Sequence, residues 1–156
     1  MSIHKIVTKG ASVLSQRAQE VDPATINTPE FRTLLEDMLQ TMIAANGVGI
    51  AAPQIGVSLR IFIAESSEGP IALINPVFTQ KSRKTLNGEE GCLSVPGKYD
   101  KLVRSKSVTV EALTSTGEKI VFTANDFFAR ILQHELDHLD GLLYVDRVKE
   151  QKEPKK

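Results

Sequence analysis

The chain has 156 residues, 41% hydrophobic and 24% charged, with 19 basic and 19 acidic side chains and a formal net charge of zero. That is one domain's worth of chain, enough to bury about two-thirds of its unfolded surface. The neutral balance excludes a global basic field for nucleic acid or an anionic membrane, the lone Cys92 excludes an internal disulfide, and no apolar run approaches transmembrane length.

The N-terminal MSIHKIVTKG lacks a secretory apolar core, so with a free thiol the chain is expected in the cytoplasm. The first twenty residues are irregular, with a short helix around Ser12 to Ala18. A clear helix follows. Thr28 suits the N-cap, Pro29 the first helical position and Glu30 the first turn. Phe31, Leu34, Leu35, Met38, Leu39, Met42 and Ile43 recur at helical spacing, and Asn46-Gly47 ends the run. The small-residue stretch GVGIAAPQIGV (47–57) is a tight connection into a strand, Leu59 to Ala64. A second strand, Ile71 to Phe78, follows Gly69-Pro70. The polar segment QKSRKTLNGEEG leads to CLSVPG without a strand signal. Val103 to Leu113 alternates weakly and then clearly. Thr114 to Gly117 is a turn, and Glu118 to Phe122 is the return strand.

The last helix starts near Asn125-Asp126, carries Phe127, Phe128, Ile131, Leu132, Leu136 and Leu139, and stops at Gly141. A short segment, Leu142 to Val148, leads to the charged tail KEQKEPKK. The expected architecture is a single α+β domain over residues 1–148. Antiparallel strands pack around the C-terminal helix, an N-terminal helix is added, and residues 149–156 form a flexible tail.

The last helix contains QHELDHLDG (133–141). His134 and His138 are four apart and share one helix face, so both rings reach one ion. Glu135 sits at the edge of that face, placed to act on a water without ligating the metal. Gln133 and Asp137 are placed to orient the rings. A catalytic metal wants a third protein ligand. One longer protease motif would put a histidine at position 144, which is Tyr144, and only Glu150 and Glu153 follow in the tail. Upstream, the strong candidates are His4 and Cys92. A thiolate suits iron or zinc better than a carboxylate does, which favours Cys92 with His134, His138 and one open position.

GVGIAAPQ (47–54), EGCLS (90–94) and QHELDHLDG (133–141) resemble, in order and spacing, the three motifs of the peptide deformylase family, with Ile50 where leucine is usual. The resemblance implies an enzyme that removes the formyl group from N-formylmethionine of newly made polypeptides. It implies one divalent ion on Cys92, His134 and His138, iron(II) by preference with zinc, nickel or cobalt able to take its place. Glu135 becomes the acid/base, and Gln54 with the Leu93 N–H becomes the oxyanion site. Backbone near Val48, Gly49 and Gly91 would hold the peptide as an added strand. Phe127 and Ile131 would wall the methionine pocket, and Arg130 would edge it unless solvated. Where the family often carries a substrate-contacting arginine, this chain has Lys98-Tyr99, and Arg104 is expected to pair with Glu90 or lie on the surface. The family's nascent-chain substrates leave a transient ribosome contact open, although the tail's mixed charges predict no specific binding. The expected state is a monomer without nucleic-acid or membrane partners. The alternatives are another metal-dependent amidase or peptidase, or a non-catalytic metal- or peptide-binding protein.

Overall fold

The computed structural model describes residues 2–153. Helix α1 (Pro29–Ala44) begins as its sequence dictates, with the Thr28 hydroxyl accepting from the Phe31 N–H. It ends when Asn46, rather than Gly47, enters the left-handed region at φ 57°. Strand β1 (Gly49–Ala51) is short and runs into a single 3₁₀ turn, Ala52–Ile55. Strands β2 (Ile61–Ser66) and β3 (Gly69–Lys81) form a hairpin, followed by β4 (Thr85–Cys92) and β5 (Val95–Ser105), then β6 (Ser107–Leu113) and β7 (Lys119–Asn125). Helix α2 spans Asp126–Leu139 and α3 spans Tyr144–Lys152.

Five strands form one antiparallel sheet in the order β1-β2-β3-β6-β7, and β4 pairs with β5 alone. The run Ile61-Phe62-Ile63-Ala64 is apolar without alternation because both faces of β2 are covered. Phe62 and Ala64 join Leu73, Val110, Leu132 and Leu139 in the core beneath α2. Ile61 and Ile63 join Ile50, Ile74, Met38 and Met42 in the core beneath α1. A third cluster packs Leu143, Tyr144, Val145 and Val148 onto Val95 and Leu102 of the β4–β5 hairpin.

The α+β class and the two long helices agree with expectation, and four details differ. The helix expected from Ser12 to Ala18 is one 3₁₀ turn, Ser12–Ser15. The segment without a strand signal is β4, whose only buried side chain is Glu90. The single strand expected over 103–113 is the end of β5 and all of β6, broken at Lys106. The segment after Gly141 is α3, which continues through four residues of the expected tail. Residues 154–156 of that tail lie outside the described residues.

The end of α2 is pinned from two sides. The Leu139 carbonyl accepts from the Ala18 N–H at 2.8 Å and from Arg60 Nη1 at 2.8 Å, and Arg60 Nη2 reaches Asp140 at 3.0 Å. A cation on the last carbonyls of a helix is favourable by dipole and hydrogen bond together. Gly141 then turns at φ +78°, and a Cβ there would lie 2.8 Å from the Ser15 carbonyl carbon. Because the obstacle is main chain, it has no rotamer to escape into. Gly141→Ala is therefore expected to lower unfolding stability by about 2–4 kcal/mol. Urea unfolding measures this, and a change within about 0.5 kcal/mol, the range of neutral surface changes, would contradict the packing described.

Candidate active site

One turn of α2 places His134 and His138 on the same side, with ring centroids 5.1 Å apart. Cys92 comes from the opposite wall, at the end of β4. Its Sγ lies 3.4 Å from His138 Nε2, and the donor atoms of Cys92, His134 and His138 all fall within 4.8 Å of one another. His4 is not part of this cluster. It lies at the surface, paired with Asp37 at 2.9 Å. Tyr144, at the position where a longer motif would want a third histidine, stacks on the His134 ring and donates its hydroxyl to the Lys98 carbonyl.

The donor set fits a cation. Burial holds His138 well below the ordinary histidine range, which leaves a neutral ring with a lone pair to offer. Burial also opposes a charge on His134. The neighbouring Cys92 and Glu90 outweigh it and raise that ring's pKa to about 10, so the ring's surroundings stabilise positive charge. His134 Nδ1 donates to Glu90 Oε1 at 2.8 Å, which fixes the tautomer and turns Nε2 toward the cluster. One thiol and two imidazoles are the donor types that iron and zinc take.

Glu90 is the group that orients the ring, although Gln133 and Asp137 were expected to. Gln133 instead brackets the main chain of Ser105, accepting from its N–H at 3.1 Å and donating to its carbonyl at 2.9 Å. Asp137 pairs with Arg104 at 2.7 Å and Arg147 at 3.1 Å. Glu90 is buried among three donors, two of them guanidinium groups. Arg104 binds it through two nitrogens, each at 2.9 Å, Arg130 binds at 2.6 Å, and His134 completes the set. Burial alone would raise its pKa, but the Arg104 and His134 hydrogen bonds prevail and lower it to about 2. Arg104 is thus committed inward and unavailable at the cleft mouth. Arg130 is neither solvated nor free, since it also donates to the Leu86 and Leu102 carbonyls at 2.8 and 3.0 Å. The Arg104–Glu90 pair is the one the family resemblance implied, whereas the Arg130 and His134 bonds to the same carboxylate have no trace in the local sequence around β4.

A cleft of about 380 Å³ opens over the cluster. Every catalytic and substrate-contact candidate from the sequence lines it, as do Cys92 and His134; His138 lies beneath it at 1% exposure, whereas His4, Arg104, Gln133 and Asp137 lie outside it. Gln54 is buried, and its amide has one orientation. Oε1 accepts from the Ala51 N–H at 2.9 Å, so Nε2 points across the cleft to Ser94 Oγ at 3.1 Å and Cys92 Sγ at 3.7 Å. Glu135 is buried with Oε2 unpartnered, and burial is the main cause pushing its pKa up to about 7. Gly49 makes the seat for that carboxylate, because a Cβ there would stand 2.9 Å from Glu135 Cδ. Phe127 is 62% exposed and stands at the mouth, whereas Ile131 is buried in the wall. Tyr99 lies against Gly91 at the rim.

Residues 3–154 match the family model described as polypeptide deformylase. A peptide deformylase from Desulfitobacterium hafniense is 46% identical over 149 residues, covering 96% of this chain and 97% of the relative. One from Fusobacterium nucleatum is 45% identical, covering 94% and 84%. The actinonin-bound class I type b peptide deformylase of Acinetobacter baumannii superposes with a TM-score of 0.90 at 37% identity, covering 94% of this chain and 99% of that one. The Met-Ala-Ser-bound form from the same organism gives 0.90 at 35%, covering 94% and 100%.

A cobalt(II) titration tests the cluster. One equivalent is expected to bind with a thiolate-to-metal absorption band, and Cys92→Ala is expected to lose the band and weaken binding at least about tenfold. Unchanged binding and spectrum in that variant would remove Cys92 from the donor set.

Proposed function

The chain belongs to the polypeptide deformylase family and is an enzyme of that class, and on this premise we propose that it hydrolyses the N-formyl group of N-formylmethionyl nascent chains, releasing formate. The observation that carries the residue assignments is the convergence of Gln54 Nε2, the unpartnered Glu135 Oε2 and the Cys92–His134–His138 cluster in one cleft. A divalent ion held by those three side chains, iron(II) by the family resemblance, supplies Lewis-acid activation of water and lowers its pKa toward neutrality.

Glu135 Oε2 receives the proton as the water oxygen adds to the formyl carbon. A carboxyl raised to about 7 by burial is matched to both taking and returning a proton near neutral pH. The formyl oxygen gathers negative charge, and Gln54 Nε2 and the Leu93 N–H donate to it. The Gln54 donor is held ready by the Ala51 bond, so little reorganisation is needed. Glu135 then passes its proton to the departing amine nitrogen as the carbon–nitrogen bond breaks. The peptide backbone pairs beside Val48, Gly49 and Gly91, and the methionine side chain lies along Ile131 with Phe127 at the mouth. The Met-Ala-Ser peptide bound by the A. baumannii relative supports a methionyl peptide in this cleft. We read the chain as a cytoplasmic monomer whose catalytic unit, expected to end at residue 148, takes in the rest of α3 to Lys152, with any ribosome contact transient.

Formate release from formyl-Met-Ala tests the reading. The unsubstituted protein is expected to turn it over. Glu135→Gln is expected to keep the metal and lose about 10³-fold in kcat, within the range for acid/base groups. Cleavage of unformylated peptides without formate release would favour a general metallopeptidase instead. Full activity in Glu135→Gln would sink the proton-transfer role.

A further inference from the structure

We propose that residues 2–9 form a strap whose Val7 and Lys9 main-chain N–H groups hold the two oxyanion-donating segments at their working separation, making these two positioning residues. This rests on the roles given above to Gln54 and Leu93.

The two donors come from distant parts of the chain. Gln54 sits on the 3₁₀ turn after β1, and Leu93 sits in the turn between β4 and β5. These segments adjoin strands of different sheets. Among the described residues, no main-chain hydrogen bond joins them directly. Their direct polar links are the bonds from Gln54 Nε2 to Ser94 Oγ and Cys92 Sγ. The strap supplies the main-chain connection. The Val7 N–H donates to the Gln54 carbonyl at 2.8 Å, and the Lys9 N–H donates to the Ser94 carbonyl at 2.8 Å. Val7 and Lys9 are two residues apart, so one short stretch of main chain ties the two carbonyls to each other.

The strap's far end is anchored on α1. The Ser2 N–H donates to Asp37 Oδ1 at 2.7 Å, the His4 N–H to Thr41 Oγ1 at 2.9 Å, and His4 Nε2 meets Asp37 Oδ2 at 2.9 Å. Thr41 Oγ1 donates in turn to the Asp37 carbonyl at 2.7 Å. No strap side chain lines the cleft, so the strap's influence on the reaction passes through the two carbonyls. Misplacement of a reacting group by about 1 Å costs up to about 10²-fold in rate. Loosening one of two oxyanion donors should therefore appear in kcat. KM should stay, because Gly49 and its neighbours are held separately by the β1–β2 ladder.

Proline removes the N–H while alanine keeps it. In the metal-loaded full-length chain with formyl-Met-Ala, Lys9→Pro and Val7→Pro are expected to lower kcat about tenfold, with KM and metal content within twofold. Lys9→Ala is expected to return kcat to within twofold of the unsubstituted chain. Lys9 is exposed, so its proline variant decides the matter if Val7→Pro fails to fold. Amide exchange over residues 2–9 should accelerate in the proline variants. A released strap with kcat within twofold of the unsubstituted chain overturns the proposal, as does an equal loss in Lys9→Pro and Lys9→Ala. Failure of the parent reading shows itself separately, as absent formate release in the unsubstituted chain, and the strap then falls with it for want of a reaction to serve.

Discussion

One buried carboxylate, Glu90, joins the parts of this molecule that have to meet. It is the only buried side chain of β4, and it is met by Arg104 from β5 and by Arg130 and His134 from α2. Removing it would leave two guanidinium groups and an imidazole facing one another in the interior, a loss in the range of about 3–5 kcal/mol for a broken buried pair. An ion pair of this kind adds little net stability over a well-packed apolar contact. What it gives here is geometry. The polar hairpin has few apolar side chains to settle its register against α2, and a bidentate arginine–carboxylate pair has only one good arrangement. The chain of charges continues through Asp137 to Arg147, so α3 is fastened to the same joint.

The joint fixes chemistry because Glu90 is two residues from Cys92. Aligning its carboxylate with His134 sets the ring's tautomer and brings the thiol to the helix in the same act. The small residues of the motifs then allow close approach. Gly49 of the first motif leaves room for the Glu135 carboxylate, and Gly88, just outside the second, leaves room for Arg130, whose Cζ would lie 3.1 Å from a Cβ at that position. These glycines serve side chains arriving from α2.

The two long helices were legible in the sequence because their signals are local. The cap at Thr28, the apolar stripe of α1 and the four-residue spacing of His134 and His138 are each contained within a few turns. Cys92 could be reached by elimination because it is the sole thiol and the helix supplies only two ligands. Strand β4 was not legible, since its outward faces are polar and its one buried residue is a glutamate, the reverse of an alternating pattern. Helix α3 was missed although Tyr144, Val145 and Val148 had helical spacing, because the charges after them look like a solvated tail. The Arg104–Glu90 pair was expected only through the family resemblance, and the inward turn of Arg130 and the Gln133 bracket on Ser105 are tertiary facts with no periodic trace. The orientation of Gln54 is of the same kind, and only the likeness of its motif to a family drew attention to it.

The central claim is that Glu90 aims His134 Nε2 at an ion shared with Cys92 and His138. Nitrogen-15 NMR of the histidine rings tests it directly. His134 is expected to carry its proton on Nδ1 in the zinc-loaded protein, its Nε2 resonance to shift when zinc is added, and Glu90→Gln to perturb both signals. A His134 ring protonated at Nε2, or one whose Nε2 resonance ignores the metal, would contradict it.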